Sequence, residues 1–356
     1  NDDVWTSERT VSAITWSAIH PELVYVAYGP KEKNNLNEPE GIICVWNTDF
    51  KKESPEFIFH CSSPITSLCL SPYAPNLVIG GTYSGKVVVW DKISRKRTPV
   101  QRSKHRSEAH THPIFCLQVV GTSNAHNLIS ISSDGRCCTW SLDMLALPTN
   151  TLDLQYPDDK RRPISVQSSS FPRGNTNNFL IGCTDGGVFQ GQRHGEKNGI
   201  NRIFGSNSSR QQSDNVLSSM MNRSYASSTS SNLKDSLGHS GPVYGLSAHE
   251  AAGAIDFSDL FLTASADYSI KLWSNKNPQT QNPQISSSSS LSSTLQQKSK
   301  GDLKDLHKKD DENKSSSNLL SSTSANSSNP ITGCIHTFKY NQDFIYAIRW
   351  SPTHPA

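Results

Sequence analysis

Residues 79–90, IGGTYSGKVVVW, contain the residue types of a phosphate-binding loop. Gly80, Gly85 and Lys86 have the spacing G-x-x-x-x-G-K, and an apolar run precedes them where the strand before such a loop belongs. A working loop also needs a Ser or Thr after the lysine to hold Mg²⁺, and a helix whose amides face the phosphates. Val87 takes the hydroxyl position, and the β-branched residues that begin with it favour a strand. The sequence therefore predicts a β-hairpin here and no nucleotide cofactor.

A second chemical set combines histidine, serine, aspartate and tryptophan, and it occurs twice. A Ser-His-Asp set can serve a hydrolase, but this set recurs along the chain and has no nucleophile elbow. We therefore expect two hydrogen-bonded chains inside the fold, which are favourable only when every member finds a partner, and no catalytic residue. The members are His239, Ser265, Asp267 and Trp273 in the later set, and His110, Ser132, Asp134 and Trp140 in the earlier one.

The stretch HRSEAHTHP raises the question of a metal site, because it holds His105, His110 and His112. The last two could share one strand face, but a metal site needs three or four ligands. His110 also stands three residues before a proline, as His239 does. This correspondence favours the structural role, and we predict no metal.

These side chains are positioned by a repeat. In four units a tryptophan follows the first residue of a tight turn by six positions, and a further unit has Asp185 at the turn but Gly191 at the sixth position. Periods of about 40–50 residues mark repeat architectures, and four short strands per repeat mark a propeller blade. The four turn and tryptophan pairs are Glu40 with Trp46, Ser84 with Trp90, Asp134 with Trp140, and Asp267 with Trp273.

We expect an all-β fold in which residues 1–356 form one WD-repeat β-propeller. Each unit has an alternating apolar strand, a proline-containing turn and a hairpin, and stacking such sheets radially buries both of their faces. The chain holds five full blades, and the alternating run at 345–348 predicts the first strand of a sixth. On this pattern we expect the propeller to be truncated before it closes.

Two serine-rich stretches interrupt the repeat. Residues 206–237 contain 12 Ser in 32 positions, and residues 278–330 contain 16 Ser in 53. Such stretches cannot bury enough apolar surface to offset the entropy lost on ordering. We predict two disordered insertions in loops, where added length costs little.

Composition narrows the function classes. The formal net charge of +3 is too small to argue for nucleic acid, and no run of 18 apolar residues is present to insert into a membrane. The eight cysteines form no C-x-x-C motif, which fits a reducing compartment. One basic run includes Arg95, Lys96 and Arg97. It is either a solvated loop or a contact for an acidic protein surface, with nucleic acid as the third alternative.

Several phrases are more specific than a generic repeat. They resemble the C-terminal WD-repeat domain of cytoplasmic dynein intermediate chains, and the resemblance covers nearly everything except the two serine-rich stretches. GGTYSGK and AHTHP favour the cytoplasmic over the axonemal branch. The phrases are FHCSSPITSLCLSPYAPNLVIGGTYSGKVVVWD (59–91), RTPVQR (97–102), AHTHPIFCLQVVGTSNAHNLISISSDGRCCTWSLDMLALP (109–148), RHGEKNGI (193–200) and WSPTHPA (350–356).

The resemblance implies a non-catalytic subunit of a motor complex, located in the cytoplasm on microtubules. In that family the propeller docks on the dynein heavy chain, which drives minus-end-directed transport. A family N-terminal region, which this sequence lacks, binds dynein light chains and dynactin. The alternative is a WD-repeat adaptor of another complex, either an axonemal intermediate chain or a ubiquitin-ligase substrate adaptor, because one fold hosts many functions.

Overall fold

The fold is all-β, as predicted. The computed structural model describes residues 4–31, 38–50, 54–156, 162–194, 199–205, 238–250, 256–275, 334–339 and 341–351. Both serine-rich stretches, 206–237 and 278–330, lie outside the described residues. Within those residues the chain forms twenty strands and no helix, so no helix there is long and apolar enough to cross a membrane.

The strands form five four-stranded antiparallel sheets, and in each sheet every strand pairs with its neighbour in sequence. The first sheet holds β1 (Arg9–Trp16), β2 (Leu23–Lys31), β3 (Gly41–Asn47) and β4 (Phe57–Cys61), and the second holds β5 (Ile65–Leu70), β6 (Leu77–Thr82), β7 (Val87–Asp91) and β8 (Gln101–Arg102). The third holds β9 (Ile114–Gly121), β10 (His126–Ser132), β11 (Arg136–Trp140) and β12 (Asn150–Asp153), and the fourth holds β13 (Val166–Ser170), β14 (Asn178–Cys183), β15 (Val188–Gln192) and β16 (Ile200–Gly205). The fifth holds β17 (Val243–Ala248), β18 (Leu260–Ser265), β19 (Ile270–Ser274) and β20 (Cys334–Phe338).

The hairpin between the second and third strands depends on one residue with positive φ in the second to fifth sheets. Gly85, Gly135 and Gly186 have φ values of 77°, 79° and 85° in the second, third and fourth sheets. Glycine adopts this conformation without steric cost. In the fifth sheet Tyr268 takes φ 62°, a conformation that is uncommon for residues with a side chain. The turns predicted at Ser84, Asp134, Asp185 and Asp267 are therefore all hairpin turns.

The sheets pack as the blades of a WD-repeat propeller. Their first strands lie side by side around a cavity of about 350 Å³, which residues 346–349 also line. Apolar clusters fill the spaces between neighbouring sheets. Trp90, Trp140 and Trp273 are each fully buried in these clusters. The repeated tryptophan is thus the largest fully buried side chain in three of the five blades.

The fourth blade fills the tryptophan position in another way. Gly191, at the sixth position from the turn, pairs across the ladder with Phe179. A Cβ at Gly191 would lie 2.4 Å from Cζ of that ring. Phe179 is fully buried, as is Phe189 on the neighbouring strand. Two phenylalanines therefore occupy the volume that one tryptophan fills elsewhere.

The expected first strand of a sixth blade is not a strand. Among the described residues 341–351 none is in a strand. The segment instead packs against β17. Trp350 donates from its backbone nitrogen to Ser247 Oγ at 3.2 Å and from its indole to Ser247 O at 3.0 Å. The ring of Tyr346 lies 5.2 Å from the ring of Tyr244. A strand requires a hydrogen-bonded neighbour, and no ladder partner stands beside this segment in the described part of the chain.

The cysteines behave as small apolar residues. All eight are free, and six of them are buried. Burial raises the pKa of the Cys137 thiol to about 12. A thiol that stays protonated at neutral pH is a poor nucleophile, so burial makes this cysteine a packing residue.

Candidate functional site

A continuous hydrogen-bonded chain crosses the fifth blade from its turn to its tryptophan. Asp267 Oδ2 lies 3.0 Å from His239 Nδ1. The other ring nitrogen, Nε2, lies 2.7 Å from Thr263 Oγ1, and the Trp273 indole donates to the same hydroxyl at 2.8 Å. His239, Thr263 and Trp273 are each fully buried. These hydrogen bonds therefore link β18, β19 and the loop before β17 inside the blade.

The protonation states follow from burial and from the partners. Burial lowers the pKa of His239, against the raising effect of Asp267, and this favours the neutral ring. Burial alone would raise the pKa of Asp267, but hydrogen bonds from His239, Ser269 and the backbone of Ser240 bring it well below its usual range. A neutral ring that donates from Nδ1 and accepts at Nε2 satisfies every member of the chain.

Thr263, and not Ser265, is the hydroxyl between histidine and tryptophan. The sequence prediction counted Ser265 as the hydroxyl member of this hydrogen-bonded chain, and it is wrong on this point. Ser265 lies two residues after Thr263, next to the hairpin turn. There its hydroxyl donates to Gly241 O at 3.0 Å and accepts from the Asp267 backbone nitrogen at 3.2 Å. Trp273 pairs with Phe261 across the ladder, so its indole reaches the adjacent side chain on the same face, that of Thr263.

The third blade repeats this geometry with a serine. The Trp140 indole donates to Ser130 Oγ at 2.7 Å, and the same oxygen lies 2.6 Å from His110 Nε2. His110 Nδ1 lies 3.5 Å from Asp134 Oδ1. Burial alone would raise the pKa of Asp134, but His110 and backbone N–H donors lower it to about 2.

Ser132, which the sequence placed in the third-blade chain, caps the turn instead. Its hydroxyl donates to His112 O at 3.0 Å and accepts from the Asp134 backbone nitrogen at 3.3 Å. This is the same correction as for Ser265, with the same cause. In both blades the bridging hydroxyl lies ten residues before the tryptophan, at Ser130 and Thr263, and this spacing is the signal that could have found it.

The Ser130, His110 and Asp134 side chains have the order of a hydrolytic triad but cannot act as one. Ser130 is fully buried, and so is His110. The serine oxygen already accepts the Trp140 indole N–H. A nucleophile must reach the carbonyl of a substrate, and this hydroxyl faces only protein. The arrangement can tie three strands together, and it offers no access for a substrate.

A shorter version occurs in the fourth blade, and sequence reasoning missed it. The Tyr156 hydroxyl donates to Asp185 Oδ2 at 2.5 Å. The pKa of Tyr156 lies far above its usual range, chiefly because the residue is buried and secondly because its hydroxyl donates to Asp185. Tyr156 lies in an irregular segment after β12, so no repeat spacing pointed to it. It gives Asp185 the partner that histidine gives the aspartates of the third and fifth blades.

The stretch that resembles a phosphate-binding loop is the β6–β7 hairpin, as predicted. The Lys86 backbone nitrogen donates to Thr82 Oγ1 at 2.9 Å inside the turn. Val87 begins β7 and is fully buried, so the chain continues as a strand where a phosphate-binding loop would start a helix. The hairpin therefore presents no helix terminus to a phosphate.

The histidines of HRSEAHTHP face different partners. His110 belongs to the buried third-blade chain, whereas the His112 ring nitrogen Nδ1 lies 2.9 Å from Thr111 Oγ1 near the surface. In the described residues no three His, Cys, Asp or Glu side chains are grouped so that they could hold a metal ion.

The basic run forms an exposed loop that joins β7 to β8 in the second blade and contacts the first blade. Arg95, Lys96 and Arg97 are all exposed. Arg95 has φ 52°, and the guanidinium of Arg97 lies 5.5 Å from the centre of the Trp5 ring. The loop thus carries three cations on one surface, and its role as a partner contact stays a prediction.

Blades of four strands, a repeated spacing from turn to tryptophan and buried polar chains define a WD-repeat protein. Consistent with this, the WD domain, G-beta repeat family matches residues 52–91 and 231–274. The sequence is 36% identical over 355 residues, 100% of this chain, to the cytoplasmic dynein 1 intermediate chain of Drosophila melanogaster, and the chain spans 40% of that relative's length. This similarity along the whole sequence confirms the resemblance to the WD-repeat part of cytoplasmic dynein intermediate chains that its motifs predicted.

Proposed function

We propose that this chain is the WD-repeat scaffold of a cytoplasmic dynein complex and that it binds the dynein heavy chain. The observation that carries the proposal is the identity of 36% to a cytoplasmic dynein 1 intermediate chain along the whole sequence. The buried set of Ser130, His110 and Asp134 supports a non-catalytic role, because its hydroxyl faces only protein, and the fifth blade has Thr263 in the place of that serine. On this proposal ATP hydrolysis belongs to the heavy chain, and this chain supports minus-end-directed transport along microtubules in the cytoplasm.

Other partners of the complex are assigned to the parent protein. In the family, dynein light chains and dynactin bind an N-terminal region, and the relative is longer than this chain, which spans 40% of it. We propose that the propeller to which this 356-residue chain contributes binds the heavy chain, and that it needs no nucleic acid or membrane to do so. Arg95, Lys96 and Arg97 remain candidates for an acidic protein contact.

A pulldown tests this function. The tagged chain is expressed in cells of its source and recovered under native conditions, and the bound proteins are identified by mass spectrometry. We expect heavy chain peptides that are absent with a tag-only control. Recovery of cullin-linked proteins or axonemal subunits without cytoplasmic heavy chain would refute the proposal in favour of another complex.

A further inference from the structure

The segment that joins β7 to β8 presents a free hydroxyl at Thr98. This residue is exposed, and its side chain has no hydrogen-bond partner among the described residues. The backbone on either side is anchored, because Arg97 O accepts from β4 at 2.7 Å and Val100 N donates to β7 at 2.8 Å. Pro99 follows Thr98, and the residue before a proline is held in an extended conformation. Thr98 is therefore an extended, accessible hydroxyl on an anchored segment.

Thr98 lines a groove of about 570 Å³ where the first two blades meet, and we call it the Thr98 groove. Two cations, Lys86 and Arg102, line the same groove. Neither takes part in an ion pair within the described part of the chain. The free hydroxyl and two unpaired cations thus lie in one groove.

The third blade shows which charges the second blade lacks. Arg136 stands two positions after the turn residue Asp134, as Lys86 stands two positions after Ser84. Arg136 Nε pairs with Asp153 Oδ1 of the outer strand β12 at 3.1 Å. The second blade has a serine for the turn aspartate, and its outer strand β8 carries no carboxylate. The cation is therefore kept in the second blade without its anionic partners.

Two carboxylates of the first blade also line the Thr98 groove. Glu38 is already paired, with Lys31 at 3.0 Å and with Arg9 at 3.5 Å. Glu40 is exposed, so salt and water screen its repulsion of an anion. His60, the remaining titratable ring of the groove, has its pKa lowered chiefly by burial, which favours its neutral form. The two unpaired cations are therefore available to an added anion.

Four other hydroxyl residues precede a proline, and none of them combines these features. Ser63 and Ser71 use their hydroxyl oxygens to accept backbone N–H groups at 3.2 Å. Ser54 and Ser351 are exposed, but they do not line the Thr98 groove. Thr98 is thus distinguished by a free hydroxyl together with facing cations.

We propose that Thr98 is a phosphorylation site for a proline-directed protein kinase and that Lys86 and Arg102 hold the phosphate. The Thr98 hydroxyl oxygen bonds to the γ-phosphorus of kinase-bound ATP, the bond from this phosphorus to the β,γ-bridging oxygen breaks, ADP leaves, and the hydroxyl proton passes to a base of the kinase. The phosphate carries a charge of about −1.5 to −2 at pH 7. It pairs with the two cations through charge-assisted hydrogen bonds and fastens the segment to the second blade. This inference does not depend on the complex to which the chain belongs.

Site mapping tests the acceptor. The intact 356-residue chain is incubated with Mg²⁺, ATP and a purified proline-directed kinase, and tandem mass spectrometry locates and quantifies the phosphates. We expect Thr98 to react faster than Ser63 and Ser71, whose hydroxyls are engaged. Thr98→Ser should keep the reaction, whereas Pro99→Ala should slow it at least about tenfold, because the kinase pocket loses an apolar contact. The same mapping on the chain recovered from cells of its source should find phosphothreonine at residue 98.

Phosphorus-31 NMR tests the groove. A phosphothreonine has a second pKa of about 6, and two facing cations should lower it by about 1–2 units. Lys86→Gln with Arg102→Gln should return it to about 6 while Thr98 is still phosphorylated. The matched control is Arg106→Gln with Lys339→Gln, which removes the same charge at exposed residues outside the groove and should leave the pKa lowered.

Four results would overturn the proposal. If the kinase leaves Thr98 unmodified in the intact chain, or modifies Ser63 and Ser71 equally fast, the exposed hydroxyl is not selected. If the phosphate titrates near its ordinary pKa, or if both pairs of substitutions change that pKa equally, the two groove cations do not hold it. If the chain from cells lacks the modification, Thr98 is not a physiological site. A heavy chain pulldown that succeeds or fails leaves these readouts unchanged.

Discussion

Replacing Thr263 with valine should break the polar chain of the fifth blade while keeping its volume. The substitution removes the hydroxyl that lies 2.8 Å from Trp273 Nε1 and 2.7 Å from His239 Nε2. Both groups belong to fully buried residues, and a buried polar group without a partner costs about 1–3 kcal/mol. Two such groups, less the cost of burying the lost hydroxyl, should lower the free energy of unfolding by about 2–4 kcal/mol.

Two matched substitutions separate this effect from packing and from the turn. Thr263→Ser keeps the hydroxyl and removes one methyl group, which should cost about 1 kcal/mol. Ser265→Ala removes the turn cap and should also cost about 1 kcal/mol, the net value of a typical hydrogen bond. The order of destabilisation thus distinguishes the bridging threonine from the neighbouring serine.

Urea titration measures the three variants. Far-ultraviolet circular dichroism and tryptophan fluorescence should give coincident transitions if unfolding is two-state. The reasoning fails if Thr263→Val stays within about 0.5 kcal/mol of the unmodified chain, the range of ordinary surface substitutions. It also fails if Thr263→Ser is as costly as Thr263→Val, because the hydroxyl would then be irrelevant.

Three further predictions concern the polar and packed positions of the blades. Burial lowers the pKa of His239, so below about pH 6.5 the unfolded chain takes up a proton that the folded chain does not. The free energy of unfolding should therefore fall as the pH drops below that value. Urea titrations across pH 5–7 should show a less steep fall for His239→Gln. Tyr156→Phe removes the hydrogen bond to Asp185 and should lower stability by about 1–3 kcal/mol, and a urea midpoint equal to that of the parent would contradict it. Gly80→Ala places a Cβ 2.9 Å from the Trp90 ring, and overpacking of this kind costs about 1–3 kcal/mol. An unchanged melting temperature in differential scanning calorimetry would mean that the ring moves freely.

The five blades could be predicted from the sequence because their signal is local. A turn residue and a tryptophan six positions later lie on one hairpin, so the spacing is set by the length of a strand. The same logic correctly excluded a phosphate-binding loop, since Val87 begins a strand. The expected strand at 345–348 failed because a strand depends on a partner, and the local pattern of a segment does not show whether a partner stands beside it.

The sequence predicted the aspartate, the histidine and the tryptophan of each polar chain, but not the hydroxyl between the histidine and the tryptophan. The spacing of the repeat identifies His239, Asp267 and Trp273. It does not choose between Ser265 and Thr263, because both lie on the same face of β18 and both carry a hydroxyl. Only the register, in which Trp273 pairs with Phe261, decides which of the two the indole reaches. Register comes from the paired strands together, so one sequence read in order leaves both candidates open.

The second blade shows why these residues change together. Where the third blade has His110, Ser130 and Asp134, the second has Cys61, Gly80 and Ser84 at the same distances from its proline, tryptophan and turn. Its tryptophan, Trp90, instead donates to His60 O at 3.2 Å.

A histidine kept alone in that blade would be buried without its aspartate, and a lone hydroxyl beside Trp90 would meet no histidine. Each half-finished chain would carry the cost of an unpaired buried group, whereas the complete chain and the second blade, in which His60 O accepts the indole, both avoid it. The fourth blade follows the same rule: Asp185 remains, and Tyr156 satisfies it from outside the repeat. At these positions of the second to fifth blades the buried polar groups are therefore paired, whichever residues supply the partners.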